Sequence, residues 1–578
     1  MLQNDPLLEF DFQSPEKKKS FLSRGLLVRL SVSITILILF SLIFPTERDN
    51  QNYNNPYRAI DLQYNLMRRA YASAQMDQPY PIDHQIKNLV PVFYARRDFE
   101  PFWTATDTPL VRLGELVSLL DSSKYFGFPI DYFSTGSLKA QELDFEATQS
   151  MDARISLELA ATFSALKLML YLGNGIVERD TIPASTSDLY ILTQTLGNTQ
   201  AMASVKDVIL GCQPKLYHYR SIASSLPNFI NLIELVQSSG AEQLDTNLIA
   251  RRLHSAGLTG SFKTGTKGVA SGSLAHPQDT SNSPFEPAFN AQTQGELAQV
   301  LQYKYLKACL NLNRLRRINT NGDNYLFVNI PEYRLYVFES NGIRDVFNVI
   351  VGKYDTPTPV FSSYVERIVT NPHWTVPKSI VDSKLLHRIR NDSTYLARNR
   401  YVVIDGREEV VDPSIIDWNA IDPLEKRYFL RQLSSPFNAM GRVKIMFPNQ
   451  HSVYIHDTPS RGLFSSEYRN FSFGCIRLQN PLKLAQYIAD GYYPENGVDI
   501  ISKLVGSPDS RELHLTGELQ IHIQYITCMG SKDNELFFFT DIYGHDYRDV
   551  KELFPKGLPW VQGYSPTVIP PQPKPNHP

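Results

Sequence analysis

The stretch YLFVNIPEYRLYVFESNGIRDVFNVIV, residues 325–351, decides the class of the C-terminal half. Leu326–Ile330 and Arg334–Phe338 are apolar and aromatic over strand lengths. Ser340, Asn341 and Gly342 supply a hairpin turn, and Val346–Val351 reads as the return strand. Further strands are expected at 442–447, 452–456, 519–527 and 536–540. Between them, residues 372–440 read as loop and helix. That is far longer than an ordinary connection within a sheet, and the segment is expected to be a lid inserted in the domain.

Upstream the periodicity becomes helical. Residues 88–103 lead into Leu110–Leu120, Ile155–Leu172 repeats the pattern more strongly, Gly173-Asn174-Gly175 stops it, and Pro227–Val236 is a further amphipathic candidate. Residues 84–245 are therefore expected to form an all-helical scaffold. In residues 246–311 two helical patterns flank a surface loop, Thr259–Pro284, that is rich in Gly, Ser and Thr. Residues 47–83 read as an irregular tether, 322–548 as the β-rich domain, and 549–578 as a tail that becomes dense in proline.

The N-terminus carries Lys17, Lys18, Lys19, Arg24 and Arg29 ahead of an uncharged run, Leu30–Phe44, which Leu26–Val28 extends. From Leu26 the stretch spans about 28 Å as a helix, enough to cross a membrane if Arg29 snorkels to the interface. The basic flank is expected to stay cytoplasmic, with the rest of the chain on the far side. Ser41–Pro45 offers no small-x-small cleavage site, which favours an uncleaved anchor over a signal peptide. The expected architecture of residues 1–46 is thus a cytoplasmic tail and a single-pass inner-membrane helix.

A formal net charge of −2 lacks the strongly basic footprint of a nucleic-acid binder. The four cysteines, Cys212, Cys309, Cys475 and Cys528, have no metal-ligand spacing, so no metal site is expected. In an oxidising compartment Cys212 with Cys309 is the one pairing that spares the β-rich region.

The chemistry concentrates in YIHDTP, residues 454–459, and FSFGCIRL, residues 471–478. A histidine and a cysteine at the two ends of one connection suit acyl transfer. The imidazole takes the thiol proton and the thiolate attacks a carbonyl. Gly474 lets the backbone approach the substrate and turn N–H groups toward a developing oxyanion. Asn480-Pro481 reads as an N-cap followed by a first-turn proline, so a helix follows the nucleophile. Strand alternation puts Tyr454 and His456 on one face and turns Asp457 away, which favours a backbone carbonyl over that carboxylate as the histidine's orienting partner.

The region from Tyr325 to Asp546 resembles the catalytic domain of the L,D-transpeptidases, in particular the large murein subfamily with a helical scaffold and an inserted peptidoglycan-binding-like module. The residues that carry this are IPEYRLYV (330–337), VGK (351–353) with TPTP (356–359), NP (371–372) with WTVP (374–377), Ser379-Ile380, IHDTP (455–459) and DIYG (541–544). The scaffold likeness rests on FYAR (93–96) with Phe102-Trp103. Ile249–Leu253, Gly257-Leu258 and Thr293–Gln302 loosely resemble a peptidoglycan-binding repeat. The family pattern is a histidine, a gap, then Ser/Thr-His-Gly-Cys. By position His456 matches the base, Gly474 the glycine and Cys475 the nucleophile, while Phe473 stands where the family has histidine.

The resemblance implies a multidomain α+β protein that needs no cofactor and acts on peptidoglycan stem peptides. Cys475 attacks the carbonyl before the terminal D-alanine of a tetrapeptide, D-alanine leaves, and an amine acceptor completes a 3–3 cross-link. Arg477, Tyr454, Trp374, Phe473 and Ser472 are expected to contact substrate. Three alternatives stay open: an L,D-carboxypeptidase, if water is the acceptor, attachment to a lysine of an outer-membrane protein, and a catalytically inactive peptidoglycan-binding scaffold. Other cell-wall synthesis proteins are expected as partners.

Overall fold

The computed structural model describes residues 56–74, 81–105, 111–128, 133, 135–176, 186–197, 204–238, 260–264, 268–272, 289–291, 294–320, 322–340, 342–424, 427–493 and 499–554. The expected membrane segment, residues 26–44, and most of the proline-rich tail lie outside them. The helix Met151–Asn174 is long and apolar enough to cross a membrane, but 72% of its apolar window is buried inside the protein. It is the central helix of the helical domain, N-capped by Ser150, whose side chain accepts from the Ala153 N–H at 3.1 Å. Its Glu158, fully buried, accepts the backbone N–H groups of Phe102, Trp103 and Thr104 at 2.9, 3.0 and 2.7 Å and the Tyr94 hydroxyl at 2.7 Å. One carboxylate thus satisfies the backbone of the turn that carries Phe102 and Trp103.

Two segments ahead of the β-rich domain differ from the sequence reading. In place of an irregular tether, Pro56–Ala74 is a helix; Leu62, Leu66, Ala70 and Ala74, spaced by four, form its buried stripe. In the expected small helical module, Gly260–Thr264 pairs antiparallel with Gly268–Gly272 and parallel with Phe289–Ala291, so a three-stranded sheet replaces the expected loop. The following helix, Gln294–Arg316, buries Leu297, Leu301, Tyr305, Leu312 and Leu315 in the core of the helical domain. Residues 249–253 and 257–258 of the loose binding-repeat likeness lie outside the described residues.

The C-terminal half is a curled, mixed sheet of eleven strands. From one edge its order is Arg511–His514, Arg367–Thr370, Val443–Met446, Ile455–His456, Ile476–Leu478, Gly342–Gly352, Arg334–Glu339, Tyr325–Asn329, Gln520–Gln524 and Phe361–Tyr364, with Asn470–Ser472 paired to Gly342–Gly352 off this path. The quoted hairpin is its centre. Leu326, Val328, Leu335 and Val337 face a core closed by the helices Pro481–Tyr492 and Ile500–Gly506, while Tyr325, Phe327, Tyr336 and Phe338 face the helical domain. Burial on both faces explains why the strands read as nearly continuous apolar runs. The helix Tyr217–Ser238 approaches so closely that a Cβ on Gly530 would stand 1.9 Å from the Ser221 carbonyl oxygen, a contact only glycine permits.

At the same contact His218 is fully buried, its ring stacked on Phe327 at 4.1 Å, and neither ring nitrogen has a partner among the described residues. Burial pushes its pKa down to about 3, and that of His522, on the sheet, to about 4. Both are neutral in the fold, whereas the unfolded chain takes up protons below its ordinary value near 6.5. Stability is therefore full above about pH 6.5 and falls as the pH drops toward 3, with His218 alone contributing about 2 kcal/mol of loss by pH 5. We expect the melting temperature to decline across that window and His218→Phe to flatten the decline. A variant with the slope of the unmodified protein would show that the acid sensitivity originates elsewhere.

Residues 372–440 are more ordered than a loop-and-helix reading suggests. Val410–Val411, Tyr401–Asp405, Tyr428–Gln432 and Trp374–Thr375 form a four-stranded sheet in that order. It closes over its own core of Val376, Val381, Leu385, Ile389, Leu396, Val403 and Leu430, with Trp374 and Trp418 packed at the margin.

Candidate active site

Strand register assembles the site. Ile455–His456 runs parallel to Ile476–Leu478, with His456 opposite Arg477, and antiparallel to Val443–Met446, with Lys444 opposite His456. The Ile476 N–H donates to the Tyr454 carbonyl at 3.0 Å. Cys475 therefore begins its strand level with Tyr454, and the histidine strand lies next to the cysteine strand. The Tyr454 and His456 rings stand 5.7 Å apart, as expected for neighbours on one face.

His456 is 3% exposed, and its Nδ1 lies 2.6 Å from the Asp457 carbonyl oxygen. A carbonyl only accepts, so Nδ1 carries the proton and Nε2 keeps the lone pair. The Asp457 carboxylate is turned away. It accepts from the Arg442 and Thr458 N–H groups at 2.9 and 2.8 Å. Burial, with Arg477 and Lys444 adding, pushes the His456 pKa down to about 3 and keeps the ring neutral.

The Cys475 thiol is partly exposed, 3.7 Å from the Ser452 carbonyl oxygen and beside the Tyr454 hydroxyl. Among the described residues no hydrogen bond joins it to His456. Burial raises its pKa, and hydrogen bonds from Tyr454 with the charges of Lys444 and Arg477 oppose that rise. Trp374, on an edge strand of the four-stranded sheet, also reaches the Tyr454 hydroxyl.

Gly474 has a φ of +105°, a backbone state L side chains rarely adopt, so glycine is required for this turn. Its N–H donates to the Ser472 hydroxyl at 3.2 Å, and the same hydroxyl donates to the Cys475 carbonyl at 2.5 Å. Ser472 is 2% exposed with its hydroxyl engaged inside the turn, so it shapes the loop and is not placed to meet substrate, contrary to the sequence expectation. Among the described residues the Cys475 N–H donates to nothing and is the available donor for an oxyanion. Asn480 also differs from expectation: it is left-handed, φ +54°, and makes no side-chain cap, although Pro481 does open the helix.

Sequence reasoning missed Lys444. Its ammonium sits 3.7 Å from the Tyr454 ring centroid, and among the described residues no carboxylate lies within 4 Å of it. Arg477 is likewise without an ion pair, its Nε buried and lacking a hydrogen-bond partner. Two cations with no ion pair among the described residues thus act on the thiol and favour its ionised form, although the field of Glu512 also reaches Lys444. The signal was present: Val443 and Ile445 face the core, so Lys444 must share the face of its register partner, His456. We expect Lys444→Met to move the pH midpoint of Cys475 alkylation upward by about one unit. An unmoved midpoint would leave Lys444 without influence on the thiol.

Residues 323–500 match the L,D-transpeptidase catalytic domain and residues 88–226 the Scaffold domain. Residues 323–500 thus correspond to an L,D-transpeptidase catalytic domain. A Haemophilus influenzae protein named as a candidate L,D-transpeptidase is 31% identical over 241 residues, which are 42% of this chain and 48% of that protein. The chain thus spans about half the length of the curated relative it matches. Among solved structures, an L,D-transpeptidase from Mycobacterium smegmatis aligns with 36% of this chain and 60% of its own at 16% identity and a TM-score of 0.17. Mycobacterium tuberculosis L,D-transpeptidase 1 aligns with 35% and 61% at 15% identity and 0.15. The folded transpeptidase domain runs past residue 500, because Gln520–Gln524 pairs parallel with Tyr325–Asn329 inside the same sheet.

Proposed function

We propose that this chain is a peptidoglycan L,D-transpeptidase with Cys475 as nucleophile and His456 as base. The observation that carries the reading is the register: a thiol at the start of one strand beside a neutral imidazole on the adjacent parallel strand, with the charges of Lys444 and Arg477 acting on the sulfur. In the first half-reaction the thiol proton passes to His456 Nε2, and the thiolate attacks the carbonyl that joins the third residue of a tetrapeptide stem to D-alanine. The Cys475 N–H faces the resulting oxyanion. The C–N bond breaks, the proton moves to the departing D-alanine amine, and a thioester remains. An acceptor amine then attacks, gives its proton to His456, and a 3–3 link forms as the thiol is regenerated. A buried, neutral His456 suits both transfers.

Arg477, Tyr454 and Trp374 line the cleft in this reading. The basic N-terminal flank and the apolar run after it support an inner-membrane anchor with the catalytic domain in the periplasm. Incubating the purified protein with tetrapeptide muropeptides and analysing the products by mass spectrometry tests the proposal. D-alanine release with 3–3 dimers is expected, tripeptide alone would mean a carboxypeptidase, and unchanged tetrapeptide would reject both.

The lid bears on that partition. A thioester is hydrolysed unless water is kept out, and residues 372–440 meet the site through Trp374 on Tyr454. Replacing Lys384–Ser435 with a short linker is expected to preserve carbapenem acylation of Cys475 while shifting products from dimer toward tripeptide by about tenfold, or ~1.4 kcal/mol of differential barrier. An unchanged ratio in a folded variant would assign the lid another task.

A further inference from the structure

The lid also carries a charge that the proposed mechanism leaves unused. Lys384 lies on a single wide turn, Val381–Leu385, inserted between two short helical turns, the kind of irregularity often found at functional sites. Its ammonium reaches the Phe473 ring, 4.6 Å from the centroid. Lys353, from the loop after Gly342–Gly352, reaches the same ring at 5.0 Å. Phe473 is two residues before the nucleophile, so lid and sheet place two ammonium groups on one aromatic platform next to Cys475.

These charges are poorly compensated. Among the described residues no carboxylate lies within 4 Å of Lys384, and Lys353 has only Asp355 at 3.8 Å, with 76% of that side chain exposed. Burial and then the fields of Lys353, Arg477 and Arg388 lower the Lys384 pKa, so three further cations act on Lys384 near Cys475. Such a cluster is costly while the cleft is empty and becomes favourable when an anion enters. A cation–π contact fixes each ammonium without neutralising it. A peptide carboxylate has the charge that would compensate these cations, and a stem peptide carries several.

We infer that Lys384 and Lys353, steadied on Phe473, form a subsite for a free carboxylate of the donor peptide, so that the lid itself takes part in substrate recognition. The inference rests on the transpeptidase reading and adds a specificity-determining contact to it. It also gives Phe473 a task in place of the family's histidine: a platform that two lysines share.

The test uses full-length protein with Cys475→Ala, so that bound peptide is not turned over. Calorimetric titration compares the tetrapeptide L-Ala-γ-D-Glu-diaminopimelyl-D-Ala with the same peptide carrying amidated carboxylates. Adding Lys384→Gln is expected to weaken binding of the free acid about tenfold and leave the amide unchanged, and Lys384→Arg to restore the difference. Equal losses on both peptides, no loss on either, or no measurable binding of the free acid by the Cys475→Ala protein would each overturn the subsite. The transpeptidase reading is judged separately, by D-alanine release from the unmodified protein, so the two can fail independently.

Discussion

Cys475→Ala is expected to lower D-alanine release and dimer formation together by a thousandfold or more, on the order of 4 kcal/mol of barrier, with the melting temperature unchanged. No other group at the site can take the acyl chain. Tyr454 is held protonated by burial, its pKa raised further by the neighbouring thiolate. The thiol is small and partly exposed, so its loss opens no large cavity. The assay is the rate of D-alanine release from muropeptides, beside a thermal melt of the same preparation. Residual turnover within tenfold of the unmodified protein would remove Cys475 from the mechanism.

The second large effect lies far from the thiol. Asp546, fully buried, meets Lys307 at 3.1 Å and Arg314 at 2.7 Å, while Arg314 also bonds Asp549 at 2.7 Å. Lys307 and Arg314 belong to the helix Gln294–Arg316, and the two aspartates to His545–Leu553, so the cluster fastens the helical domain to the end of the catalytic domain. Asp546→Ala leaves the Lys307 ammonium, 1% exposed, without its anion and should cost about 3–5 kcal/mol in chemical denaturation. Burial would raise the Asp546 pKa, but Lys307 and Arg314 outweigh it and hold it below the ordinary 3.8. Its contribution is therefore present above pH 3.8 and is lost only as the pH falls through the lower, folded value, below most of the window in which His218 acts. A loss under 1 kcal/mol would mean that the cluster is solvated and does not fasten the domains.

The hairpin at 325–351 was legible because strand-length apolar runs and a Ser-Asn-Gly turn leave few other readings. The face each side chain takes was not, since both faces are covered and all five residues of Tyr325–Asn329 are buried. The lid sheet escaped notice because two of its strands, Trp374–Thr375 and Val410–Val411, are only two residues long. In the 259–284 region glycine and serine lower β propensity, and pairing overrode it. At the site, His456 and Cys475 could be chosen from their order and spacing. Lys444 could not be chosen without the pairing of two strands, and Ser472 was misjudged because a hydroxyl beside a nucleophile reads the same whether it faces substrate or its own turn.

The double allegiance of the central hairpin bears on how such a protein can change over time. Four of its aromatic residues, Tyr325, Phe327, Tyr336 and Phe338, complete the interior of the helical half, so this part of the sheet is covered from behind by the helices. A cut in the chain ahead of Tyr325 would expose an adhesive apolar area rather than release an autonomous enzyme. Recombination has no clean joint there. Exchange of one half without the other is therefore expected to leave this seam mismatched.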